Sequence, residues 1–155
     1  PERVLPLAVP LIVGNRGEPV SQLQAALNTA LGLKKKQKLS TDGNYGKGTA
    51  GAVSKIEELN GLPVDGLADA TVLSLLGLDP TTFKLSQNSR HTSVATAQTA
   101  LARVLKIKMK ADGIFGSGTA KQLKRFQKSV GLKQTGVIDR TTWLSLLAAS
   151  ATLAK

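Results

Sequence analysis

The sequence predicts an all-α protein made of two tandem three-helix bundles. Two observations lead to this prediction. The stretch TDGNYGKGTA at residues 41–50 returns seventy positions later as ADGIFGSGTA. Apolar residues on either side of each stretch recur at helical spacing, while the alternating pattern of strands is weak. Because self-similarity at a fixed period indicates a copied structural unit, we expect one module to occur twice.

The extent of the repeat follows from aligning the chain with itself. A shift of 70 aligns the Asp-Gly stretches and, further on, Gly61 with Gly131. Upstream the shift becomes 74, which aligns Arg16 with Arg90, and a lysine-rich loop absorbs the four-residue difference. The predicted organisation is an extended lead-in packed on the first repeat (1–11), repeat 1 (12–79), a linker (80–84), repeat 2 (85–150) and a tail (151–155).

Each repeat is expected to hold three helices. The first carries an apolar stripe, such as Val20, Leu23 and Leu27 in repeat 1. The second follows the Asp-Gly stretch, where Thr119 and Gln122 form a Thr-x-x-Gln pattern typical of a capping box. A short third helix closes each repeat. It is predicted at residues 69–76 in repeat 1 and from residue 139 to about 149 in repeat 2. Asp69 and Asp139 are the expected N-caps, and Gly61 and Gly131 suit left-handed helix ends.

The repeated stretch has a structural interpretation of its own. An Asp-Gly pair favours a tight turn, since the carboxylate bonds nearby backbone N–H groups and glycine accepts positive φ. The aromatic residue that follows, Tyr45 or Phe115, is expected to point inward and anchor the loop. Trp143 is predicted to be a core residue of the closing helix.

Composition and charge narrow the possible partners. The chain has no cysteine, so neither a disulfide nor a cysteine metal site can form, and no apolar run is long enough for a membrane span. Residues 1–84 hold nine Lys or Arg and eight acids, a net charge of +1. Residues 85–155 hold twelve against two, a net charge of +10. Such a basic half suggests a polyanionic partner: nucleic acid, an anionic membrane or a phosphate-rich wall polymer.

Repeat 2 carries Asp-Gly-Ile-Phe-Gly with Thr119, then Phe126-Gln127 and Thr142-Trp143. Repeat 1 carries two opening glycines, Leu23-Gln24 and Asp-Gly-Asn-Tyr-Gly. In this order the motifs resemble the three-helix peptidoglycan-binding domain of bacterial and bacteriophage cell-wall hydrolases, endolysins among them. Both repeats depart from the pattern. Repeat 1 has Ile56-Glu57 in place of Phe-Gln and Val72 in place of the Trp, with one residue too few before Thr71. Repeat 2 has Asn88 to His91 in place of the opening glycines and Thr135 in place of an Asp.

The resemblance implies non-catalytic binding to peptidoglycan, through glycan strand, stem peptide or both. It also implies a location in the cell wall or periplasm and a linked lytic enzyme that the module targets. Two sites on one chain would add avidity if both reach the polymer together. Anionic wall polymers are a further expected partner for the basic half, and the chain is expected to be a monomer without a cofactor.

Candidate ligand-binding residues lie at matching positions of the two repeats. For Gln24 and Gln98, contact with a ligand and a bond to the Asp-Gly loop are equally plausible. Asp42, Tyr45, Asp112 and Phe115 are expected to shape a groove, with the Tyr45 hydroxyl as the best candidate for direct contact. Arg125 and Gln127 are further groove candidates on the second helix with the same two roles open, and an orientation towards solvent is slightly favoured. Lys121, Lys124 and Lys128 are expected to act electrostatically.

No constellation of catalytic residues is recognisable. A single histidine, His91, cannot supply the three ligands of a zinc hydrolase, and there is no cysteine nucleophile. Glu57 and Glu58 are adjacent and point about 100° apart on a helix, unlike a glycosidase pair. The alternatives are a basic three-helix nucleic-acid binder, with residues 121–128 as recognition helix, or a structural anchor in a wall or virion. Few aromatic side chains are available for base stacking, so no specific nucleic-acid partner is expected.

Overall fold

A computed structural model describes residues 7–153, except for the side chain of Leu153; residues 1–6 of the predicted lead-in and residues 154–155 lie outside the described residues. Within this range the chain forms six α-helices and two short 3-10 turns, Lys35–Gln37 and Pro80–Thr82, and no regular strand. The all-α prediction is confirmed. The helices are α1 (Glu18–Ala30), α2 (Lys47–Leu59), α3 (Ala70–Leu75), α4 (Thr92–Leu105), α5 (Ser117–Ser129) and α6 (Arg140–Leu153).

The predicted helix ends are largely confirmed. The carboxylate of Asp69 accepts from the backbone N–H of Val72 at 3.0 Å, and Asp139 accepts from Thr142 at 2.8 Å. Gly61 and Gly131 take positive φ of 67° and 76° directly after the C-caps of α2 and α5. α6 continues to Leu153, beyond the predicted end near residue 149.

Two local predictions are wrong. Helix α5 starts at Ser117 with Gly116 as N-cap, so Thr119 lies inside the first turn and forms no capping box. Its hydroxyl instead accepts a hydrogen bond from Gln98. In repeat 1, Leu73 rather than Val72 matches Trp143, because both N–H groups bond the carbonyl of the N-cap Asp. Val72 therefore stands where repeat 2 has Thr142, and no residue is missing before it.

The apolar core runs through both repeats. Tyr45 is 3% exposed and Phe115 fully buried, as predicted for the aromatic residue of each Asp-Gly stretch. Trp143 of α6, the closing helix of repeat 2, is also buried. The buried apolar side chains of the two repeats belong to one cluster. Each Å² of apolar surface that is buried contributes about 25 cal/mol of stability. Because a shared core buries more apolar surface than two separate cores, it stabilises two small bundles better.

The repeats meet in a symmetric backbone contact. The N–H of Arg16 donates to the carbonyl of Arg90 at 3.0 Å, and the N–H of Arg90 donates to the carbonyl of Arg16 at 2.8 Å. Arg16 also forms an antiparallel bridge to Asn44, and Arg90 forms the matching bridge to Ile114. Because equivalent residues contact each other reciprocally, the repeats are related by a local pseudo-two-fold axis through this pair.

The segment before α1 contacts both repeats. Leu11 pairs with Ala68 of repeat 1, as the equivalent Leu85 pairs with Ile138 in repeat 2. The N–H of Ala8 donates to Ser93 Oγ at 3.0 Å, across to repeat 2. Packing on the first repeat was predicted, whereas the contact with repeat 2 was not. Phe83 of the predicted linker is fully buried.

The helices are too short or too polar for a bilayer. Across residues 7–153, no helix has both the length and the apolar character needed to cross a membrane.

Candidate functional site

Gln24 fixes the Asp-Gly loop of repeat 1 to helix α1. Its side chain is 2% exposed. The amide Nε2 donates to Asp42 Oδ1 at 3.2 Å, to the carbonyl of Asn44 at 2.9 Å and to Thr49 Oγ1 at 3.1 Å. Its Oε1 accepts from the N–H of Gly43 at 2.9 Å. One amide thus joins α1, the loop and the start of α2, an arrangement we call a loop anchor.

Gln98 forms the same loop anchor in repeat 2. Its Nε2 donates to Asp112 Oδ1 at 3.2 Å, to the carbonyl of Ile114 at 3.0 Å and to Thr119 Oγ1 at 3.0 Å. Its Oε1 accepts from the N–H of Gly113 at 3.0 Å. Of the two roles considered for these glutamines, the bond to the loop is the one present. Both side chains are buried beneath the loops that they hold.

A second loop anchor follows in each repeat, and here the repeats differ. In repeat 2, Gln127 Nε2 donates to Thr135 Oγ1, the carbonyl of Val137 and Thr142 Oγ1, and its Oε1 accepts from Gly136. In repeat 1 the position is Glu57, 2% exposed, whose Oε1 accepts from the N–H groups of Asp65 at 3.2 Å and Gly66 at 2.9 Å. Gln127 was expected beside the groove, but its side chain is buried inside the repeat.

The two Asp-Gly loops carry ionised carboxylates at exposed positions. The N–H of Asn44 lowers the pKa of Asp42, and the amide of Gln24 lowers it further. The pKa of Asp112 is lowered in the same way, first by the N–H of Ile114 and then by Gln98. Both side chains are exposed, so each loop presents a fixed negative charge at neutral pH.

The aromatic residues of these loops are buried and pack against the loops from the core side. The Tyr45 hydroxyl donates to the carbonyl of Gly66 at 2.6 Å, which ties the two loops of repeat 1 together. Burial, with the nearby Glu57 carboxyl, raises the pKa of Tyr45, so the hydroxyl remains a donor. Direct ligand contact through this hydroxyl does not fit its geometry, because the group is buried and already bonded. Phe115 is likewise fully buried, and both aromatics shape the loops from inside.

The predicted basic face of α5 is present. Lys121, Lys124, Arg125 and Lys128 are all exposed. The Arg125 guanidinium donates to Gln122 Oε1 at 2.6 Å. The aliphatic part of Lys124 lies over Gly136, where an added Cβ would come within 2.9 Å of its Cε. These residues form a positive surface on repeat 2, and Lys124 extends it over the loop that Gln127 holds.

His91 has a structural role at the start of α4. Its Nδ1 accepts from the N–H of Ser93 at 2.8 Å, and its Nε2 lies 2.6 Å from the carbonyl oxygen of Pro10. The ring therefore caps α4 and holds the lead-in, and burial lowers its pKa. Among residues 7–153, no three His, Asp or Glu side chains are grouped as a metal site would require.

A cleft of about 380 Å³ lies where the two repeats meet. Both Asp-Gly loops contribute to it, with Asp42 and Asn44 from one repeat and Ile114 from the other. Arg16 and Arg90 line its floor beside the pseudo-two-fold axis. The two arginines occupy equivalent positions of the repeats but were not among the predicted site residues. The available signal was a matching charge in both repeats directly before a helix N-terminus.

Comparisons with known proteins agree with this architecture. A family model described as "Putative peptidoglycan binding domain" matches the chain twice, at residues 16–76 and 90–146. Both matches fall within the predicted repeats and include all four loop anchors. Among curated proteins, no relative matches the chain.

Two solved structures are similar to the chain. The SleB N-terminal domain is 35% identical over 44% of this chain and 88% of its own, with a TM-score of 0.39. The endolysin of the Burkholderia phage AP3 is 20% identical over 94% of this chain, with a TM-score of 0.39. The chain spans 62% of the length of that endolysin. On the two family matches, which cover most of its length, the chain belongs to the peptidoglycan-binding domain family and contains two tandem members of it.

Proposed function

We propose that this chain holds bacterial peptidoglycan without cleaving it and thereby concentrates a linked lytic enzyme at the cell wall. The observation that carries the proposal is the double family match at residues 16–76 and 90–146. The location that follows is the wall or periplasm. A phage product released at lysis would reach the same polymer as a secreted bacterial protein.

The structure supports a specific form of avidity. Tandem modules on a flexible linker bind as independent sites whose local concentration depends on linker length. Here the repeats share a core and are joined through the backbone of Arg16 and Arg90. Two loop surfaces held at a fixed spacing bind a repetitive polymer without losing the entropy of ordering a linker. We infer that the two repeats act as one binding unit.

The candidate contact surface consists of the exposed parts of the loops rather than the buried side chains beneath them. Asp42 and Asp112 stand at the loop tips, while Gln24, Gln98, Tyr45, Phe115 and Gln127 hold the loops in shape. Arg125 and the three exposed lysines of α5 add attraction for anionic wall polymers. Preorganised loops lose little conformational entropy on binding.

The test is co-sedimentation of the full chain with purified sacculi. We expect retention on sacculi and no release of soluble muropeptides by the chain alone. A gel shift with random duplex DNA at physiological salt runs in parallel. Retention on DNA but not on sacculi would favour the nucleic-acid alternative, and release of muropeptides would show a catalytic activity; either result would overturn the proposal.

A further inference from the structure

Two arginine side chains share one face of the contact between the repeats. Arg16 and Arg90 exchange both backbone hydrogen bonds, at 3.0 and 2.8 Å. Residues paired in this way have Cα atoms about 5.5 Å apart and side chains on the same side. Both side chains are exposed and both line the 380 Å³ cleft. The fold therefore places two guanidinium groups next to each other at the pseudo-two-fold axis.

This arrangement has an electrostatic cost that no side chain among residues 7–153 offsets. Like charges directly opposite each other destabilise a β-pair. Within the described part of the chain, neither guanidinium forms a hydrogen bond or an ion pair. Two unpaired guanidinium groups offer up to ten N–H donors, and their planar geometry suits bidentate binding of an oxyanion. Their geometry suits a carboxylate or a phosphate as partner.

Backbone packing fixes the spacing of the pair. Gly17 has φ of 131°, and an added Cβ would lie 2.7 Å from Ser89 Oγ and 3.2 Å from Ser89 Cβ. A side chain here would push the repeats apart next to the arginines. Close approach of the repeats at this point thus requires glycine, and the fold holds the backbones of the two arginines close together.

The other charges of the cleft distinguish between possible oxyanions. The carboxylates of Asp42 and Glu18 line the same cleft. Asp42 remains ionised because Asn44 and Gln24 stabilise its charge, and Glu18 accepts from Gln22 at 3.3 Å. The two carboxylates cancel the attraction of the two arginines for a chain of phosphates, whereas the mixed charges suit a peptide that carries both carboxylates and an amine. Peptidoglycan stem peptides carry both groups, whereas the glycan strand offers hydroxyl and acetamido groups.

We propose that Arg16 and Arg90 together bind a free carboxylate of the peptidoglycan stem peptide in the cleft between the repeats. This inference rests on the proposed function and assigns the stem peptide, rather than the glycan, to this site. The site requires both repeats, which gives a physical reason for the tandem arrangement besides avidity. Asp42 and Asn44 at its edge are placed to contact the peptide amine and amides.

The test compares the full chain with the double variant Arg16→Gln/Arg90→Gln. The matched control is Lys55→Gln/Lys133→Gln, which also removes one exposed positive charge from each repeat. Both variants should fold, since all four side chains are exposed, and circular dichroism melting checks this. On sacculi freed of phosphate polymers, we expect the arginine variant to bind at least about tenfold more weakly, equivalent to about 1.4 kcal/mol. The lysine control should bind as the parent chain does.

Two further preparations identify the group that is bound. Sacculi whose carboxylates are capped as amides, and sacculi stripped of stem peptides by an amidase, should bind the parent chain and the arginine variant equally. If the arginine variant binds untreated sacculi as tightly as the lysine control, the carboxylate site is refuted while the proposed function stands. Arginine dependence seen only when phosphate polymers are left on would also refute it. Failure of the parent chain to bind any sacculus would refute the proposed function itself.

Discussion

The second loop anchors of the two repeats differ by little more than a carboxamide and a carboxyl. The two N–H bonds of the Gln127 amide in repeat 2 are shared among three acceptors, one of which is Thr142. Glu57 of repeat 1 has none unless it is protonated, and Val72 replaces the threonine. The backbone N–H of Gly66 or Gly136 is satisfied in both repeats. The loop geometry thus survives the replacement, while the donor side of the anchor changes.

The replacement in repeat 1 creates a pair of carboxyl groups. Burial raises the pKa of Glu57, and a hydrogen bond with the Asp65 side chain raises it further against the lowering effect of Gly66. The pKa of Asp65 is lowered, first by the N–H of Leu67 and then by the Glu57 side chain. A proton on Glu57 donated to Asp65 reproduces the bond that Gln127 makes to Thr135. Repeat 1 therefore has an acid-dependent form of an anchor that is independent of pH in repeat 2.

The largest expected effect comes from removing an anchor common to both repeats. Gln98→Leu leaves the N–H of Gly113, the carbonyl of Ile114 and the Thr119 hydroxyl without their partner. Leaving these three buried polar groups without a hydrogen bond should lower the free energy of unfolding by about 3 kcal/mol. Thermal melting measures the loss, and Gln24→Leu should behave alike. The control is the exposed Gln134→Leu; an equal effect from both substitutions would contradict the anchor role.

A smaller effect, with a diagnostic pH dependence, is expected from Glu57→Gln. The pKa of Glu57 is higher in the folded than in the unfolded state. The carboxyl therefore makes its whole contribution to the free energy of unfolding below the unfolded pKa, near 4.5. That stability is lost as the pH rises through the higher folded value. At pH 7 the buried carboxyl of the parent lowers the free energy of unfolding, whereas the neutral amide of the variant does not. The variant should therefore be more stable by about 1 kcal/mol. Below pH 4.5 the difference should disappear.

Denaturant unfolding from pH 4 to pH 8 measures this prediction. Glu58→Gln is the matched control, because Glu58 is the exposed neighbour of Glu57 on α2. It should leave the pH profile of the parent unchanged. A Glu57→Gln variant whose stability falls with pH as steeply as the parent's would refute the paired-carboxyl account.

The smallest effect concerns the basic face of α5, which repeat 1 lacks. Gly51, Ser54 and Glu58 occupy the positions of Lys121, Lys124 and Lys128. Replacing the three lysines by glutamine should leave the melting temperature nearly unchanged. Binding to sacculi that retain phosphate polymers should weaken a few-fold at low salt and hardly at all at high salt, because screening already removes the attraction. Equal weakening at both salt concentrations would indicate direct contacts instead.

Local features of the fold were predictable because short-range chemistry determines them. The Asp-Gly turns, the inward aromatics and the Asp N-caps each depend on residues a few positions apart. The capping box at Thr119 failed because a residue from another helix, Gln98, takes the hydroxyl. The match of Val72 to Trp143 failed because the threonines of the two repeats were aligned although they occupy different positions of the third helix.

The contact between the repeats was beyond sequence reasoning for a different reason. Arg16 and Arg90 were aligned as equivalent residues, but equivalence in sequence does not imply contact in space. Their pairing depends on Gly17 approaching Ser89 and on the lead-in reaching Ser93, interactions over more than seventy residues. Likewise, the burial of Gln24 and Gln98 became evident only once helix and loop were placed together.

Titration of the isotope-labelled full chain with a soluble muropeptide, followed by amide chemical shifts, tests most directly that both repeats bind peptidoglycan as one unit. We expect saturable shifts at residues 42–45 and 112–115 with a single affinity, together with shifts at Arg16 and Arg90. The muropeptide should be recovered intact. Shifts confined to one repeat would contradict the single unit, and no shifts at concentrations where duplex DNA produces them would contradict peptidoglycan binding.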